Sequence, residues 1–152
     1  MKHAIIALLL SAMASSTFAQ EKLKNREISF NGFRNPSIGV EYRHHQISAH
    51  AGYYTTAFKS GEYTNFFKAG LSYWFLPVDK KEIPSSFYAG AAYMHGLNRD
   101  YKGKNAFSIE TGFRWMIWKG LNLRLGIIAV SSEGSSVKIN PTPGISYSIK
   151  LK

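Results

Sequence analysis

The stretch that decides the fold is residues 106–131, AFSIETGFRWMIWKGLNLRLGIIAVS. From Phe107 to Ala129 its odd positions are apolar, apart from Thr111 and the turn residue Lys119. Its even positions are charged, polar or glycine, apart from Met116, Trp118 and Ile128. Alternation of this length predicts β-strands, because successive side chains leave a strand on opposite faces. The stretch therefore predicts a hairpin whose arms run about ten residues each, roughly what a tilted strand needs to cross a bilayer.

Lys119-Gly120 marks the turn of this hairpin. A three-residue loop that ends at Gly120 would pair Ile117 with Leu121 and keep apolar residues opposite one another. The same register predicts two pairs of identical residues on the polar face, namely Gly112 with Gly126 and Arg114 with Arg124.

The same alternation recurs along the chain and predicts six further strands, at 26–33, 37–43, 46–55, 66–75, 87–96 and 143–152. A two-residue turn at His44-His45 would join the second and third strands and pair Tyr42 with Ile47. The other long connections are predicted as loops, at 57–65, 76–86, 97–105 and 132–142. The pattern predicts an all-β fold, an eight-stranded antiparallel up-and-down β-barrel.

Residues 1–19 have the features of a secretory signal peptide. Lys2 supplies the basic start, residues 4–10 the apolar core and Thr17-Phe18-Ala19 the cleavage site. We therefore expect residues 20–25 to be a short periplasmic lead and residues 26–152 to be one barrel domain. The chain has no cysteine, so neither a disulfide framework nor a lipidation site is predicted.

Without the signal peptide the chain carries 18 basic and 9 acidic residues, a formal net charge of +9. Basic charge of this size is typical of proteins that bind nucleic acid, but the predicted export argues against that class of partner. An anionic membrane surface is the exported counterpart. After residue 19 no stretch of eighteen residues is apolar throughout, so no transmembrane helix is predicted.

Glycine positions indicate which face of the sheet points inward. A secreted lipocalin-like barrel would turn its apolar face inward around a ligand, and an outer-membrane barrel would turn it toward lipid. Glycine weakens a water-exposed sheet but suits the curved, narrow inside of a small barrel. Strands two to eight each place one glycine on the polar face: Gly39, Gly52, Gly70, Gly90, Gly112, Gly126 and Gly144. We therefore expect the polar face inside and the apolar face toward lipid.

Aromatic residues lie toward both ends of the apolar face, as in the girdles of membrane barrels. With this architecture, residues 26–152 resemble the small outer-membrane barrels of Gram-negative bacteria, such as the OmpA transmembrane domain and OmpX. The resemblance rests on architecture and not on a motif. It implies a transmembrane barrel in the outer membrane with both termini in the periplasm. Such barrels often end in an aromatic residue that the assembly machinery recognises, whereas this chain ends Leu151-Lys152.

The resemblance also sets the expected partners. These are outer-membrane lipid and lipopolysaccharide, together with the barrel assembly machinery, and no nucleic acid. We expect a monomer with no cofactor and no metal. His44-His45 is interpreted as a solvated turn, because neither a carboxylate nor a cysteine accompanies it.

The polar face predicts an interior charge network. Its members would be Glu41, Arg43, His50, Lys68, Glu110, Arg114, Arg124 and Lys150. We interpret these residues as a structural ion network and not as the lining of a gated pore, because buried charges need partners and eight strands leave room only for side chains. Within the network we expect Glu110 to lie between Arg114 and Arg124.

The cations of the predicted loops are Lys59, Arg99, Lys102, Lys104 and Lys138. Two interpretations stay open for them: contacts with lipopolysaccharide phosphates, or plain solvated charges.

The segment from Tyr93 to Asn98, YMHGLN, is similar to the His-x-Ser-Asn stretch of the lipid A deacylase PagL, with His95 as the candidate catalytic residue. The serine position holds Leu97, so the histidine has no nucleophile to activate, and Ser108 would face inward. We expect a non-enzymatic barrel that acts in envelope integrity or in surface contact through its loops. A lipid A-modifying enzyme is the alternative. A soluble lipocalin-like carrier comes third, because an early Gly-x-Trp is absent.

Overall fold

The computed structural model describes residues 23, 25–33, 37–59 and 61–152. The predicted signal peptide and most of the periplasmic lead lie outside the described residues. The strands are β1 (Arg26–Gly32), β2 (Ile38–His44), β3 (Ile47–Lys59), β4 (Glu62–Phe75), β5 (Ser86–Gly96), β6 (Asn105–Trp118), β7 (Leu121–Ser132), β8 (Lys138–Pro141) and β9 (Gly144–Leu151). Within the described ranges, no helix has the length and apolar character needed to cross a bilayer.

The strands form one antiparallel sheet that closes into a ring. Each strand from β1 to β7 pairs with the next, and β9 pairs with both β7 and β1. β8 and β9 pair with β7 in the same register. The ladder between them is interrupted at Pro143, which has no N–H to donate. Between them the Thr142 N–H donates to the Gly126 carbonyl at 2.8 Å. The predicted eight-stranded antiparallel up-and-down ring is confirmed, with β8 and β9 together as its eighth strand.

The ring has two different ends. The short-turn end carries the turns after β2 and β6, the connection at residues 76–85 and the end of β9. The loop end carries the connections after β1, β3, β5 and β7. The strands are staggered around the ring, as closure requires.

Beyond the loop-end limit of the short hairpin of β1 and β2, the wall of the ring is completed by β3 and β8. These two strands end at the loop end with Gly32 and Ile38, whereas β3 continues to Lys59 on one side and β8 begins at Lys138 on the other. β3 and β8 meet there through side chains, with Asn140 Nδ2 donating to Thr56 Oγ1 at 2.5 Å. We call this junction the seam.

The turn between β2 and β3 lies one residue later than predicted. His45 has a φ of 57°, so the turn residues are His45 and Gln46, and His44 pairs with Ile47. Tyr42 consequently pairs with Ala49, and the predicted Tyr42–Ile47 pair is wrong. The register moves by two positions, which leaves every side chain on its predicted face.

The turn between β6 and β7 has two residues and not three. Lys119 and Gly120 have φ angles of 33° and 97°, and Trp118 pairs with Leu121, so the predicted Ile117–Leu121 pair is wrong. A bulge between Met116 and Trp118 absorbs Ile117 and restores the expected phase. The predicted pairs Gly112 with Gly126 and Arg114 with Arg124 are confirmed.

Two predicted loops contain strand. Most of residues 57–65 belongs to β3 and β4, which meet in a short turn, and β8 lies inside the predicted loop 132–142. Near the turn between β3 and β4, Thr56 and Thr64 form a buried cross-strand pair. Polar residues occupy both faces at this level, so the alternation fades although the ladder of backbone hydrogen bonds continues. The predicted loop 97–105 is confirmed in the main, with a 3-10 turn at Arg99–Tyr101.

Polar side chains point into the ring and apolar side chains point out of it. Phe107 and Leu125 are 67% and 63% exposed, whereas Arg114 and Lys68 are 0% and 1% exposed. Among the described residues, 22 polar or charged side chains are buried, against 14 apolar or aromatic ones including Pro84. A Cβ on Gly112 or Gly126 would lie 2.8 or 2.9 Å from the buried Tyr88 hydroxyl, so these two glycines face inward as predicted.

A small apolar cluster fills the ring at its loop end. Its buried members are Tyr54, Phe66, Met94, Tyr101, Ala106, Ile128 and Val130. Phe66 lies 5.3 Å from Tyr101 in an edge-to-face arrangement. The charged residues of the interior therefore occupy the remaining part of the ring, toward the short-turn end.

Candidate functional site: the charged interior

Glu27 is the centre of the first group of interior charges. It is 1% exposed and lies opposite Arg43 in the β1–β2 ladder, with its Oε2 2.7 Å from Nη2 of that arginine. Its other oxygen accepts a hydrogen bond from Arg114, which comes from β6 on another part of the ring. One carboxylate from β1 thus balances two arginines from two other strands.

Glu41 and Arg124 form a second interior pair between non-neighbouring strands, β2 and β7. The Glu41 Oε2 and Arg124 Nη1 atoms are 2.6 Å apart, and the Ser48 hydroxyl donates to Glu41 Oε1 at 2.5 Å. Both charged residues are buried. The pair therefore ties opposite parts of the wall together across the ring.

Glu110 belongs to a third group. Its Oε2 lies 2.5 Å from Lys68 Nζ, and its Oε1 lies 3.9 Å from His50 Nε2. The expectation that Glu110 lies between Arg114 and Arg124 is wrong. Arg114 pairs with Glu27 from β1, and Arg124 pairs with Glu41 from β2.

Trp74 contacts both of the facing arginines. The Arg114 and Arg124 guanidinium carbons lie 4.3 and 5.1 Å from its ring centre, within cation–π range. Its indole N–H donates to Ser48 at 2.8 Å, and the side chain is fully buried. The indole therefore gives both like-charged groups a cation–π contact, in addition to their ion pairs with Glu27 and Glu41.

The structure brings together all but one of the residues predicted for the network. Glu41, Arg43, His50, Lys68, Glu110, Arg114 and Arg124 are buried. Lys150 is instead exposed at the short-turn end, where it pairs with Glu82 at 2.7 Å. Glu27 was not among the predicted network residues. Because Ile28 and Phe30 belong to the outward apolar face, the alternation already implied that Glu27 faces inward.

The connection at residues 76–85 covers part of the short-turn end. Ile83, Pro84 and Ser85 are buried, and the Pro84 carbonyl accepts a hydrogen bond from Arg114 Nη2 at 3.1 Å. The Ser85 hydroxyl accepts a hydrogen bond from the Met116 N–H at 2.9 Å. This segment, whose role the sequence did not explain, thus closes the charged interior from below.

Asp79 organises this connection. Its Oδ1 accepts hydrogen bonds from the Lys81 and Ser85 N–H groups, each at 3.2 Å, and its Oδ2 accepts one from the Ser85 hydroxyl at 2.6 Å. Partial burial acts to raise the pKa of Asp79, but the hydrogen bonds from Ser85 and Lys81 outweigh it and hold the pKa below its usual value.

Replacing Asp79 should loosen the connection in a pH-dependent way. Because its pKa is lowered by folding, ionised Asp79 stabilises the fold above its ordinary pKa, and this contribution is lost as the pH falls through the folded-state value. Asp79→Asn keeps one acceptor oxygen but removes the negative charge and the Oδ2 acceptor of the Ser85 hydroxyl, so the amides of Lys81 and Ser85 should exchange about two- to tenfold faster at neutral pH. The difference should persist down to pH 3.8 and disappear only below it. Equal exchange in both proteins at neutral pH would contradict this role.

The predicted loop cations do not form one cluster. Arg99 and Lys138 line a depression of about 240 Å³ together with Glu62 and Asp100, so its charge is mixed. Lys102 and Lys104 are exposed on the β5–β6 loop. The side chain of Lys59 lies outside the described residues.

His95 lies on the outer wall near the loop end. Its Nδ1 is 3.1 Å from Asn105 Oδ1, which also accepts a hydrogen bond from the Tyr93 hydroxyl at 2.6 Å. Leu97 is exposed beyond it, and Ser108 is buried on the inner face. The structure thus brings an amide and a phenol to His95, and it separates Ser108 from it by the thickness of the wall.

His44, the last residue of β2, and His45 in the following turn have ring centres 4.2 Å apart, with the rings tilted by 33°. Within the described ranges, no group of three histidine, cysteine or acidic side chains is arranged to hold a metal ion.

Comparison of the chain with family models, with curated proteins and with solved structures returns no match. The description of the protein therefore depends on its architecture: a closed antiparallel all-β ring with ion pairs inside and an apolar outer wall.

Proposed function

We propose that this protein is a small, non-enzymatic outer-membrane β-barrel that acts in envelope integrity or in surface contact through its loop end. The supporting observation is the reversed distribution of polarity, with buried ion pairs inside and exposed apolar side chains outside. Water would not favour such an outer wall, but hydrocarbon does. In this proposal the short-turn end faces the periplasm and the loop end faces outward.

The aromatic residues of the outer wall support this orientation. Phe75, Phe87 and Phe113 come from three neighbouring strands and contact one another in sequence, with ring centres 6.1 and 4.8 Å apart. Toward the loop end Tyr93 and Phe107 pack 5.8 Å apart. Two aromatic groups at different heights are the usual interfacial anchors of membrane barrels.

The interior argues against a soluble lipocalin-like carrier. Such a carrier needs an apolar chamber for its ligand. Here Trp74, Arg43 and Arg114 are among the largest fully buried side chains. The two arginines are packed in the interior as ion pairs with Glu27. The interior therefore supports a structural barrel more strongly than a carrier or a conducting channel.

Gel migration tests the proposal. The protein should fractionate with outer membranes, and unheated and boiled samples should migrate differently, because a closed barrel stays folded in detergent until heated. A soluble periplasmic protein with a single gel mobility would contradict the proposal.

The lipid A mass spectrum separates this proposal from the enzyme alternative. Deleting the gene should leave the number of acyl chains on lipid A unchanged, because the group that His95 Nδ1 contacts is the Asn105 amide and not a serine nucleophile. A change in acyl-chain number that the His95→Ala variant fails to reverse would favour a lipid A-modifying enzyme.

A further inference from the structure

A groove of about 550 Å³ lies at the short-turn end, between the β6–β7 turn, the 76–85 connection and the end of β9. Its cationic members are Lys81, Lys119 and Lys150, and Glu82 is the one carboxylate in its lining. Its apolar members include Trp118, Ile117, Tyr147 and Ile149. We refer to these residues as the lysine groove.

We propose that the lysine groove binds the headgroup of an anionic phospholipid in the inner leaflet of the membrane. This inference rests on the proposed function, since it needs the short-turn end to lie at a membrane surface. The argument is charge complementarity beside an apolar wall: three ammonium groups against one carboxylate favour a phosphodiester, and the apolar side favours its acyl chains.

The charges of the groove are unequally neutralised. Lys150 is paired with Glu82 at 2.7 Å. Lys81 donates to the Met116 carbonyl and lies 3.8 Å from Asp79, a long contact in which the lysine side chain is 47% exposed and the carboxylate 26% exposed. Among the described residues no carboxylate forms an ion pair with Lys119, whose Nζ lies 5.5 Å from the Trp118 ring centre. Lys119 and Lys81 are therefore the two cations best placed to meet a phosphate.

The backbone fixes the position of Lys119. The turn that carries it is tight, with positive φ at both Lys119 and Gly120. A Cβ on Gly120 would lie 2.4 Å from the Ser148 carbonyl oxygen, so β9 packs directly against the turn. The Ser148 N–H also donates to the Gly120 carbonyl at 2.8 Å. Because the backbone of the turn is already ordered, binding a headgroup adds only the ordering of the lysine side chain.

The apolar side of the groove is continuous with the outer wall. Trp118 is 66% exposed, and Ile117 and Tyr147 are also exposed beside it. Tryptophan and tyrosine favour the headgroup level of a bilayer, where one edge is wet and the other is dry. A free phosphate would use only the lysines, whereas a phospholipid would use this wall as well.

The test is native mass spectrometry of the folded full chain released from nanodiscs that contain equal amounts of phosphatidylglycerol and phosphatidylcholine. The wild-type protein should retain phosphatidylglycerol preferentially. Lys81→Gln/Lys119→Gln should reduce this preference about tenfold or more, since each lysine near an anionic surface contributes about a fivefold factor. The matched control Lys102→Gln/Lys104→Gln removes the same charge at the loop end and should keep the wild-type preference.

Three results would overturn the inference. They are an equal loss in the control variant, no loss in the groove variant, or full competition by inorganic phosphate at the concentration of the lipid. Trp118→Ala should also weaken retention, whereas a site for free phosphate would not respond to it. Heat-modifiable migration of the same samples reports barrel insertion separately, so a failure of the membrane proposal is distinguishable from a failure of the groove.

Discussion

Glu27→Ala should destabilise the barrel by about 3 to 5 kcal/mol, the usual result of removing one partner from a buried ion pair. The carboxylate balances both Arg43 and Arg114, and all three side chains are buried. Without it two guanidinium groups remain in the interior beside Arg124, which already faces Arg114 in the β6–β7 ladder. The measurement is the free energy of unfolding in urea, in detergent micelles or lipid vesicles.

Glu62→Ala is the matched control for this prediction. Glu62 also pairs with an arginine, Arg99, but at 3.8 Å and with both side chains 47% exposed. Its loss should therefore cost no more than about 1 kcal/mol. Glu27→Gln should fall between the two, because it keeps the shape but not the charge. Equal losses for Glu27→Ala and Glu62→Ala would show that the Glu27 pairs do not stabilise the fold.

Trp74→Ala should cost a similar amount, about 3 to 5 kcal/mol, as expected for a fully buried tryptophan. The variant would lose the packing volume, the hydrogen bond to Ser48 and the ring that both Arg114 and Arg124 contact. Removing that ring would also deprive two buried guanidinium groups of a cation–π contact.

Two other variants sharpen the Trp74 prediction. Trp74→Phe keeps an aromatic face but no N–H donor, so it should recover part of the lost stability. Trp115→Ala removes a tryptophan that is 57% exposed on the outer wall and should cost clearly less. If Trp115→Ala proved as damaging as Trp74→Ala, the interior role of Trp74 would be contradicted.

Side-chain parity carries most of what the sequence predicts correctly. Because the strand period is two, a run such as Phe107 to Ala129 fixes the face of its residues outside the bulge and the turn, even where the turn is misjudged. The turn at His45-Gln46 moved the register by two positions and left the faces unchanged. At Lys119-Gly120 the bulge at Ile117 restored the phase that the shorter turn would have broken.

The ion pairs could not be predicted in the same way. Arg114 and Glu27 are 87 positions apart and lie on strands that are not neighbours, so their contact depends on the closure and stagger of the whole ring. The expectation for Glu110 considered carboxylates within its own hairpin, whereas the structure supplies those of Glu27 and Glu41 from β1 and β2. Local alternation predicts the face on which a side chain lies but not the residues that it contacts.

The seam has a consequence for how the wall opens. A ladder of backbone hydrogen bonds separates only when many bonds break together, whereas at the seam a side-chain hydrogen bond from Asn140 to Thr56 joins β3 and β8, and no ladder pairs these two strands within the described residues. Local opening is cheapest where few bonds must break. β8 should thus separate from β3 while the rest of the ring stays closed. The wall is therefore least stable directly above the short hairpin of β1 and β2.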